Sequence, residues 1–197
     1  MAETSEVNAI ISGRLCFPSL DTPTAPNGEG EPRYRATILI PKDDKETINT
    51  LKKIAKAAFI ERFGNDAWER KQSGWSGIND GDTRSKGPDG VHDGCFYINC
   101  KSKNKPFTVD EYREPTTKVY AGCYVNVLLY AYGWEYAGKR GISYAFSGLQ
   151  FVKDGAKIES SGTRNAIEQF PILAKPVSTS SVEETAPVTL EDFDDGL

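Results

Sequence analysis

Apolar and polar positions alternate most regularly over residues 120–152, the longest strand-forming stretch of the chain. From Cys123 onward, every second side chain is small or aliphatic, and the positions between them include several tyrosines. Because strand side chains point alternately to opposite faces, the pattern predicts one buried face and one aromatic outer face. A turn over residues 133–141 and a returning strand over residues 142–152 complete a predicted β-hairpin.

Three shorter segments predict further strands: residues 7–17 are rich in apolar side chains, and residues 34–40 and 95–101 show the same alternation. In the second of these segments Arg35 falls on the outer side. In the third, Tyr97 and its alternate neighbours are aromatic or polar, so this strand also presents a polar outer face. The chain is therefore expected to be mainly β.

A helical period replaces the alternation over residues 44–63, where apolar side chains recur at three- and four-residue spacing. Asp43 and Glu46 predict a capping box at the start of this helix. The proline-rich residues 18–33 and the glycine- and aspartate-rich residues 64–94 show neither period and are expected to be loops. The second is long enough to be a functional loop.

The acidic charge of the chain is concentrated at its C-terminal end. The 197 residues carry a net charge of −4, and residues 171–197 alone contain six acidic residues and one lysine. This segment is rich in proline, serine, threonine and glutamate, a composition typical of a disordered linker. We therefore predict a nearly neutral folded domain over residues 1–170 and a disordered linker with an acidic tail over residues 171–197.

The sequence gives little support for a metal centre or a membrane segment. Its four cysteines form no CxxC pair, and the single histidine, His92, has no ligand partner at a useful spacing. No apolar run approaches the roughly 18 residues that a membrane-spanning helix needs, and the polar N-terminus does not resemble a secretion signal. We expect no cofactor, no metal, no membrane association and reduced cysteines in a cytosolic protein.

The outer positions of the predicted strands combine the groups that stack on bases with the groups that hold phosphates. The aromatic candidates are Tyr97, Phe107, Tyr130, Tyr132, Trp134 and Tyr136. The cationic candidates are Arg35, Lys101, Lys103, Lys105, Lys139 and Arg140. Two alternatives stay open: the tyrosines could pack beneath a helix or a second sheet, and the lysines could be solvated charges that protect a sheet edge.

An enzymatic alternative rests on the acidic residues of the glycine-rich loop. A metal-dependent nuclease would use Asp80, Asp82, Asp89 or Asp93. These residues do not follow the order of acids in a calcium loop, and no histidine cluster supports them. We therefore expect a protein without catalytic activity.

Six segments, taken in order along the chain, resemble a family of phage-encoded single-stranded DNA-binding proteins. They lie at residues 13–18, 34–42, 80–82, 94–103, 120–126 and 148–155. The resemblance covers about residues 9–160 and the acidic end of the chain. It implies an OB-fold barrel that binds single-stranded DNA without catalysis, during phage replication or recombination in the cytoplasm of the bacterial host.

The resemblance also implies a role for the acidic tip, which consists of Glu191, Asp192, Phe193, Asp194 and Asp195. In such proteins the tip recruits replication or recombination proteins, such as a polymerase, a helicase or primase, or a recombinase. This chain departs from the usual pattern because it ends in Gly-Leu instead of the aromatic residue. The tip could also fold back on the cationic surface and compete with DNA. A homodimer and a structural role in phage assembly stay open as alternatives.

Overall fold

The computed structural model describes residues 7–25, 28, 30–84 and 90–158. Its elements, in chain order, are β1 (Asn8–Thr24), β2 (Arg33–Pro41), α1 (Lys45–Phe63), α2 (Asn65–Glu69), β3 (Asn79–Asp80), β4 (Cys95–Ser102), β5 (Phe107–Val109), β6 (Tyr124–Tyr136) and β7 (Lys139–Lys153). A short 3-10 turn follows β3. The mainly β composition and the single long helix agree with the sequence pattern, whereas α2, β3 and β5 were not predicted.

Five of the strands close into a barrel, with neighbours in the order β1, β2, β4, β7, β6 and back to β1. All these pairings are antiparallel except β4–β7, which is parallel and joins Cys100 to Tyr144. β5 extends the sheet beyond β7, and β3 pairs with the first half of β4. A five-stranded barrel with this connectivity is an OB-fold, so the predicted fold class is confirmed.

Alternate strand residues and one side of α1 form the core of the barrel. Val125, Val127 and Leu129 of β6, on the face predicted to be buried, are at most 1% exposed. Leu51 and Phe59 of α1 are equally buried and belong to the same hydrophobic cluster. The helix inserted between β2 and β4 therefore completes the barrel core, as its apolar spacing predicted.

The cap of α1 differs from the prediction by one residue. The Asp44 carboxylate accepts a hydrogen bond from the Thr47 backbone N–H at 3.0 Å, which makes Asp44 the N-cap. The Asp44 N–H itself donates to the Pro41 carbonyl at 3.1 Å. This turn after β2 places the second of two adjacent aspartates at the cap, so the predicted capping box of Asp43 and Glu46 is wrong.

β1 continues to Thr24 through residues that were predicted to be a loop. Its pairing with β2 shifts between Cys16 and Ser19 and again between Ser19 and Thr24, and Phe17 has a φ of 46°. Irregular pairing of this kind leaves ladder positions without hydrogen bonds, where proline is tolerated. Pro18 and Pro23 therefore lie within an irregular strand instead of ending it, and the predicted loop is wrong over residues 18–24.

The β6–β7 hairpin is tighter than the sequence indicated. Its turn consists of Ala137 and Gly138, with φ angles of 48° and 75°, which is the conformation of a type I′ turn. Strand pairing continues up to Tyr136 and Lys139 on either side. The predicted turn over residues 133–141 is therefore wrong, because most of those residues belong to the two strands.

All four cysteines are free thiols, and burial raises the pKa of the Cys16 thiol to about 11. No described helix combines the length and apolar character needed to cross a bilayer. The predicted domain boundary at residue 170, the linker and the acidic tail of residues 171–197 lie outside the described residues. They stay predictions, as does Asp89.

Candidate nucleic-acid interface

β2 and β4 present an outer surface, here called the front face. Three cross-strand pairs lie on this side of the two strands, which are Leu39 with Tyr97, Thr37 with Asn99, and Arg35 with Lys101. Leu39 is 1% and Thr37 8% exposed, so the surface open to a ligand is formed by the half-buried Arg35 and Tyr97 and the exposed Asn99 and Lys101. The Thr37 hydroxyl donates to Asn99 Oδ1 at 2.9 Å, and the Arg35 Nε donates to the carbonyl of Thr24 at 3.1 Å. The front face therefore brings together three of the predicted candidates, one aromatic ring and two cations, on neighbouring strands.

Tyr97 is part of an aromatic cluster that the sequence did not reveal. The His92 ring meets Tyr97 edge-on, with centroids 5.1 Å apart, and Phe17 stacks on His92 at 6.0 Å. The Arg84 guanidinium lies 5.3 Å from the centroid of the Tyr97 ring. Phe17 is 48% exposed whereas His92 is 6% exposed, so the histidine supports the cluster while Phe17 offers ring surface to a ligand.

Burial and the neighbouring Arg84 both favour the neutral form of His92. Arg84 Nη1 lies 2.8 Å from His92 Nε2, and because a guanidinium can only donate, this ring nitrogen must accept. The proton of the neutral imidazole then resides on Nδ1. Burial, followed by the charge of Arg84, lowers the pKa of His92 below its ordinary value, and the carboxylate of Asp93 opposes this only in part.

The loop that carries Arg84 and His92 is fastened at its base. The Lys42 ammonium pairs with both Asp80 and Asp82, and the Gly94 N–H donates to the Asp82 carboxylate at 2.7 Å. These bonds from Lys42 and Gly94 hold the pKa of Asp82 below its usual range. The Lys42 N–H also donates to the Gly94 carbonyl at 3.0 Å. The two ends of the loop are therefore tied to each other and to the end of β2.

The same contacts argue against the nuclease alternative. Asp80 and Asp82 direct their carboxylates to Lys42, and a cation in that position competes with any metal ion. Among the residues that the structure describes, no group of three or more metal-ligating side chains is close enough to hold a metal. Asp89, the third acid of that hypothesis, lies outside the described ranges.

Lys103 and Lys105 lie beyond the end of β4, so strand alternation does not place them as the sequence suggested. Lys103 pairs with Glu31 at 3.3 Å and Lys105 with Asp21 at 3.1 Å. Both lysines are at least 60% exposed, and exposed pairs of this kind contribute about 0–1 kcal/mol. An incoming phosphate can therefore replace either carboxylate, and both lysines border the front face.

A second outer surface, here called the back face, is formed by β6 with the first half of β1, β7 and β5. An apolar row crosses it through residues paired strand to strand, which are Ile10, Leu128, Gly148 and Phe107. Ile10 is 68% exposed and Phe107 54% exposed. A Cβ atom at Gly148 would lie 2.2 Å from the Phe107 ring, so only glycine allows this ring to lie flat against the sheet.

Tyr130 and Tyr132 extend the back face toward the hairpin, with their rings stacked at a centroid separation of 6.3 Å. Tyr130 is 45% exposed, so it does not pack beneath a helix or a second sheet. Within the barrel, β6 is separated from β4 by β7 on one side and by β1 and β2 on the other. Phe107, Tyr130 and Tyr132 therefore lie on a different surface from Tyr97.

The hairpin tip carries the remaining candidates, which are Trp134, Tyr136, Lys139 and Arg140. Tyr136 is 80% exposed and Trp134 38% exposed. The Arg140 guanidinium lies 5.2 Å from the Phe63 ring centroid and pairs with Glu135 at 3.3 Å. The twelve predicted residues are therefore distributed over the front face with its border, the back face and the tip, and do not form one continuous stripe.

Phe17, Arg84 and His92 are the residues that sequence reasoning missed. Phe17 was assigned to the end of a strand, and the other two lie in a segment without periodicity. Only the length of that segment indicated a functional loop. The cluster depends on the fold, since Phe17, which stacks on His92, lies far along the chain from Arg84 and His92.

An OB-type barrel whose outer surface carries aromatic rings and cations belongs to a class of proteins that bind oligonucleotides or oligosaccharides. The family match is more specific. Residues 8–181 match the model of the family described as the single-stranded DNA-binding protein of Enterobacter phage Enc34, and the chain belongs to this family. The resemblance based on the six sequence segments is therefore confirmed.

Individual relatives agree with this assignment. The chain is 34% identical over 171 residues to protein p50 of the Acyrthosiphon pisum secondary endosymbiont phage 1, covering 82% of this chain and 90% of that protein. Its fold is similar to that of the bacteriophage Enc34 single-stranded DNA-binding protein in complex with ssDNA (TM-score 0.66, 21% identity, 78% of this chain and 90% of that chain). A C-terminal truncation of the same protein gives a TM-score of 0.63 at 22% identity, covering 77% of this chain and 89% of that chain.

The lowered pKa of His92 predicts a pH-dependent stability. Below about pH 6.5 the unfolded chain takes up a proton on His92 that the folded chain resists, so the free energy of unfolding falls as the pH is lowered. Urea unfolding between pH 7.5 and 5.5 should show this decline, and a His92→Gln variant should show a smaller one. Since His92 is the only histidine, equal declines in the two proteins would contradict the proposed environment of the ring.

Proposed function

We propose that this protein binds single-stranded DNA without catalysis and with little dependence on sequence. The observation that carries the proposal is the front face, where Tyr97, Arg35 and Lys101 lie together on an OB-fold barrel. The protein of bacteriophage Enc34 that shares this fold has been solved in complex with ssDNA. Membership of the same family supports transfer of that activity to this chain.

In the proposed mechanism, aromatic rings bind the bases and cations bind the phosphates. Bases stack on Tyr97 and Phe17, which contribute about 1–3 kcal/mol per base. Arg35 and Lys101 neutralise phosphates, and the exposed Lys103 and Lys105 exchange their carboxylate partners for phosphates at the border of the face. Because every base has a π face and every nucleotide a phosphate, this arrangement selects a single strand without selecting its sequence. No cofactor takes part.

The candidates on the back face and at the hairpin tip are proposed as secondary DNA contacts. Trp134, Tyr136 and Lys139 would contact DNA that extends past the front face toward the hairpin. Phe107, Tyr130 and Tyr132 stay predicted DNA contacts, but their position on a separate surface makes them secondary to Tyr97 in binding a short strand.

We also propose that the protein acts in phage DNA replication or recombination in the cytoplasm of the host. The acidic tip, Glu191 to Asp195, would recruit a polymerase, a helicase or primase, or a recombinase. Support comes from its sequence, in which four acids surround Phe193, and from its position after a polar linker. The same acids would compete with DNA phosphates for the cations of the front face.

One prediction compares the contributions of the front face and the back face to DNA binding. Tyr97→Ala should weaken binding of a short fluorescent oligo-dT by about 5- to 150-fold, the equivalent of one lost stacking contact of about 1–3 kcal/mol. Tyr130→Ala should change the affinity much less, because its ring lies on the back face. Fluorescence anisotropy over a salt series measures both. A larger loss for Tyr130→Ala than for Tyr97→Ala would move the binding site to the back face.

The second prediction concerns the tail. The full chain should bind oligo-dT but not a matching duplex, and a version ending at Pro171 should bind oligo-dT several-fold more tightly. The gain should be greatest at low salt, where repulsion between the acidic tail and phosphates is least screened. Equal affinities of the full chain and the shortened version would show that the tail does not compete with DNA. If neither version binds the single strand, the proposed function is wrong and a structural role in phage assembly takes its place.

A second copy of the chain is the partner that we propose for the back face. The row of Ile10, Leu128 and Phe107 is an exposed apolar surface of the kind that marks interfaces. Light scattering should give a mass above 21.7 kDa at micromolar concentrations, and Leu128→Glu should restore the monomer mass. Lys52→Glu on the solvent side of α1 is the matched control. A monomer at every concentration would exclude the homodimer.

A further inference from the structure

A groove of about 140 Å³ lies between the end of α2 and the tip of the β6–β7 hairpin. Its apolar floor is formed by Phe59 and Ala67. Its rim is polar and consists of Arg70, Lys71, Gln72, Gly138 and Arg140. We call it the cationic groove, because three of its five rim residues are positively charged. Of these, only Arg140 was singled out by the sequence pattern.

Neighbouring groups position two of these cations before any ligand arrives. The Lys71 ammonium lies 4.1 Å from the centroid of the Trp68 ring and donates to the Trp68 carbonyl at 3.3 Å. The Arg140 guanidinium is placed over the Phe63 ring at 5.2 Å. Side chains that are already ordered lose less conformational entropy when they bind a ligand. The groove is therefore better prepared to bind an anion than a set of fully mobile surface lysines.

The acidic residues near the groove do not cancel its charge. Glu135 pairs with Arg140 at 3.3 Å, but both side chains are 45% exposed, and such a pair contributes only about 0–1 kcal/mol. Glu69 precedes Arg70 in the sequence and is also exposed. An anionic ligand can therefore displace the Glu135 carboxylate at little cost.

The cationic groove is connected to the front face by a single short segment. From Gln72 the chain runs to Asn79, which pairs with Tyr97 on the front face. Along this route the Ile142 N–H donates to the Trp75 carbonyl at 2.7 Å, so the segment follows the first residues of β7. The groove lies at one end of this segment and the front face at the other.

We propose that the cationic groove holds phosphates of the same DNA strand whose bases stack on the front face. The inference rests on the proposed function and extends it, because it assigns Arg70 and Lys71 to the nucleic-acid path. The groove offers no ring for stacking, since Phe59, the aromatic residue of its lining, is 1% exposed. Its ligand is therefore the phosphodiester backbone and not the bases.

The test compares DNA lengths. An oligo-dT of about 5 nucleotides fills only the front face, whereas one of about 16 nucleotides, the upper end for one OB-fold, also reaches the groove. In the full chain, Arg70→Ala combined with Lys71→Ala should weaken binding of the long oligonucleotide. The double variant should also reduce the steepness of log K against log salt concentration for this oligonucleotide by up to about 1.4, or about 0.7 for each phosphate contact that is lost. Binding of the short oligonucleotide should be unchanged.

The matched control removes the same charge elsewhere. Lys52→Ala combined with Lys53→Ala takes two exposed cations from α1 and should leave both affinities unchanged. The single variant Arg70→Glu, at an exposed position, provides a second measurement if the double variant unfolds. Thermal unfolding verifies that each variant keeps its fold.

Any of four results would overturn the inference. Equal weakening of short and long oligonucleotides, or the same effect in the control, would show a general charge effect. An unchanged affinity of the double variant for the long oligonucleotide would show that the groove does not bind the DNA strand. Binding of a peptide of residues 186–197 that is lost in the double variant, with DNA binding intact, would assign the groove to an acidic protein segment. Failure of the unaltered protein to bind either oligonucleotide would instead contradict the proposed function itself.

Discussion

The parallel contact between β4 and β7 is the constraint on which the rest of the structure depends. It joins Cys100 and Tyr144, which are both 1% exposed, inside the barrel. Nearby, the Tyr144 hydroxyl donates to the Ser76 carbonyl at 2.8 Å, and the Ile142 N–H donates to the Trp75 carbonyl at 2.7 Å. These bonds fasten the segment before β3 along β7. Without the contact between the two strands, the second half of β4 and the first half of β7 would each present an unpaired edge, and the front face would lose its support.

Barrel closure also decides which side chains can act together. In an open sheet, the outer residues of β4 and β6 could share one surface, whereas in the closed barrel β7 separates them. Tyr97 therefore contacts Arg84 and His92, while Tyr130 stacks on Tyr132 on the back face. The proposed DNA site and the proposed contact with a second copy therefore lie on separate surfaces.

Local charge determines the shape of the front face. Lys42 and Asp82 tie the ends of a long loop together, and this places Arg84 and His92 beside Tyr97. Each contact is an exposed interaction of modest strength, but the Gly94 N–H bond and the lysine act on the same carboxylate. The loop can therefore be ordered at its base without a hydrophobic core of its own.

The sequence by itself determined the elements whose side chains repeat with a fixed period. The buried face of β6, the helix from Lys45 to Phe63 and the outward direction of Tyr97 all follow from periods of 2 and 3.6 residues, which are local properties of the backbone. The bulged end of β1 and the cluster of Phe17 with His92 were decided by the tertiary structure. They depend on pairing between residues distant in the chain, and no local pattern records which strands become neighbours when the barrel closes.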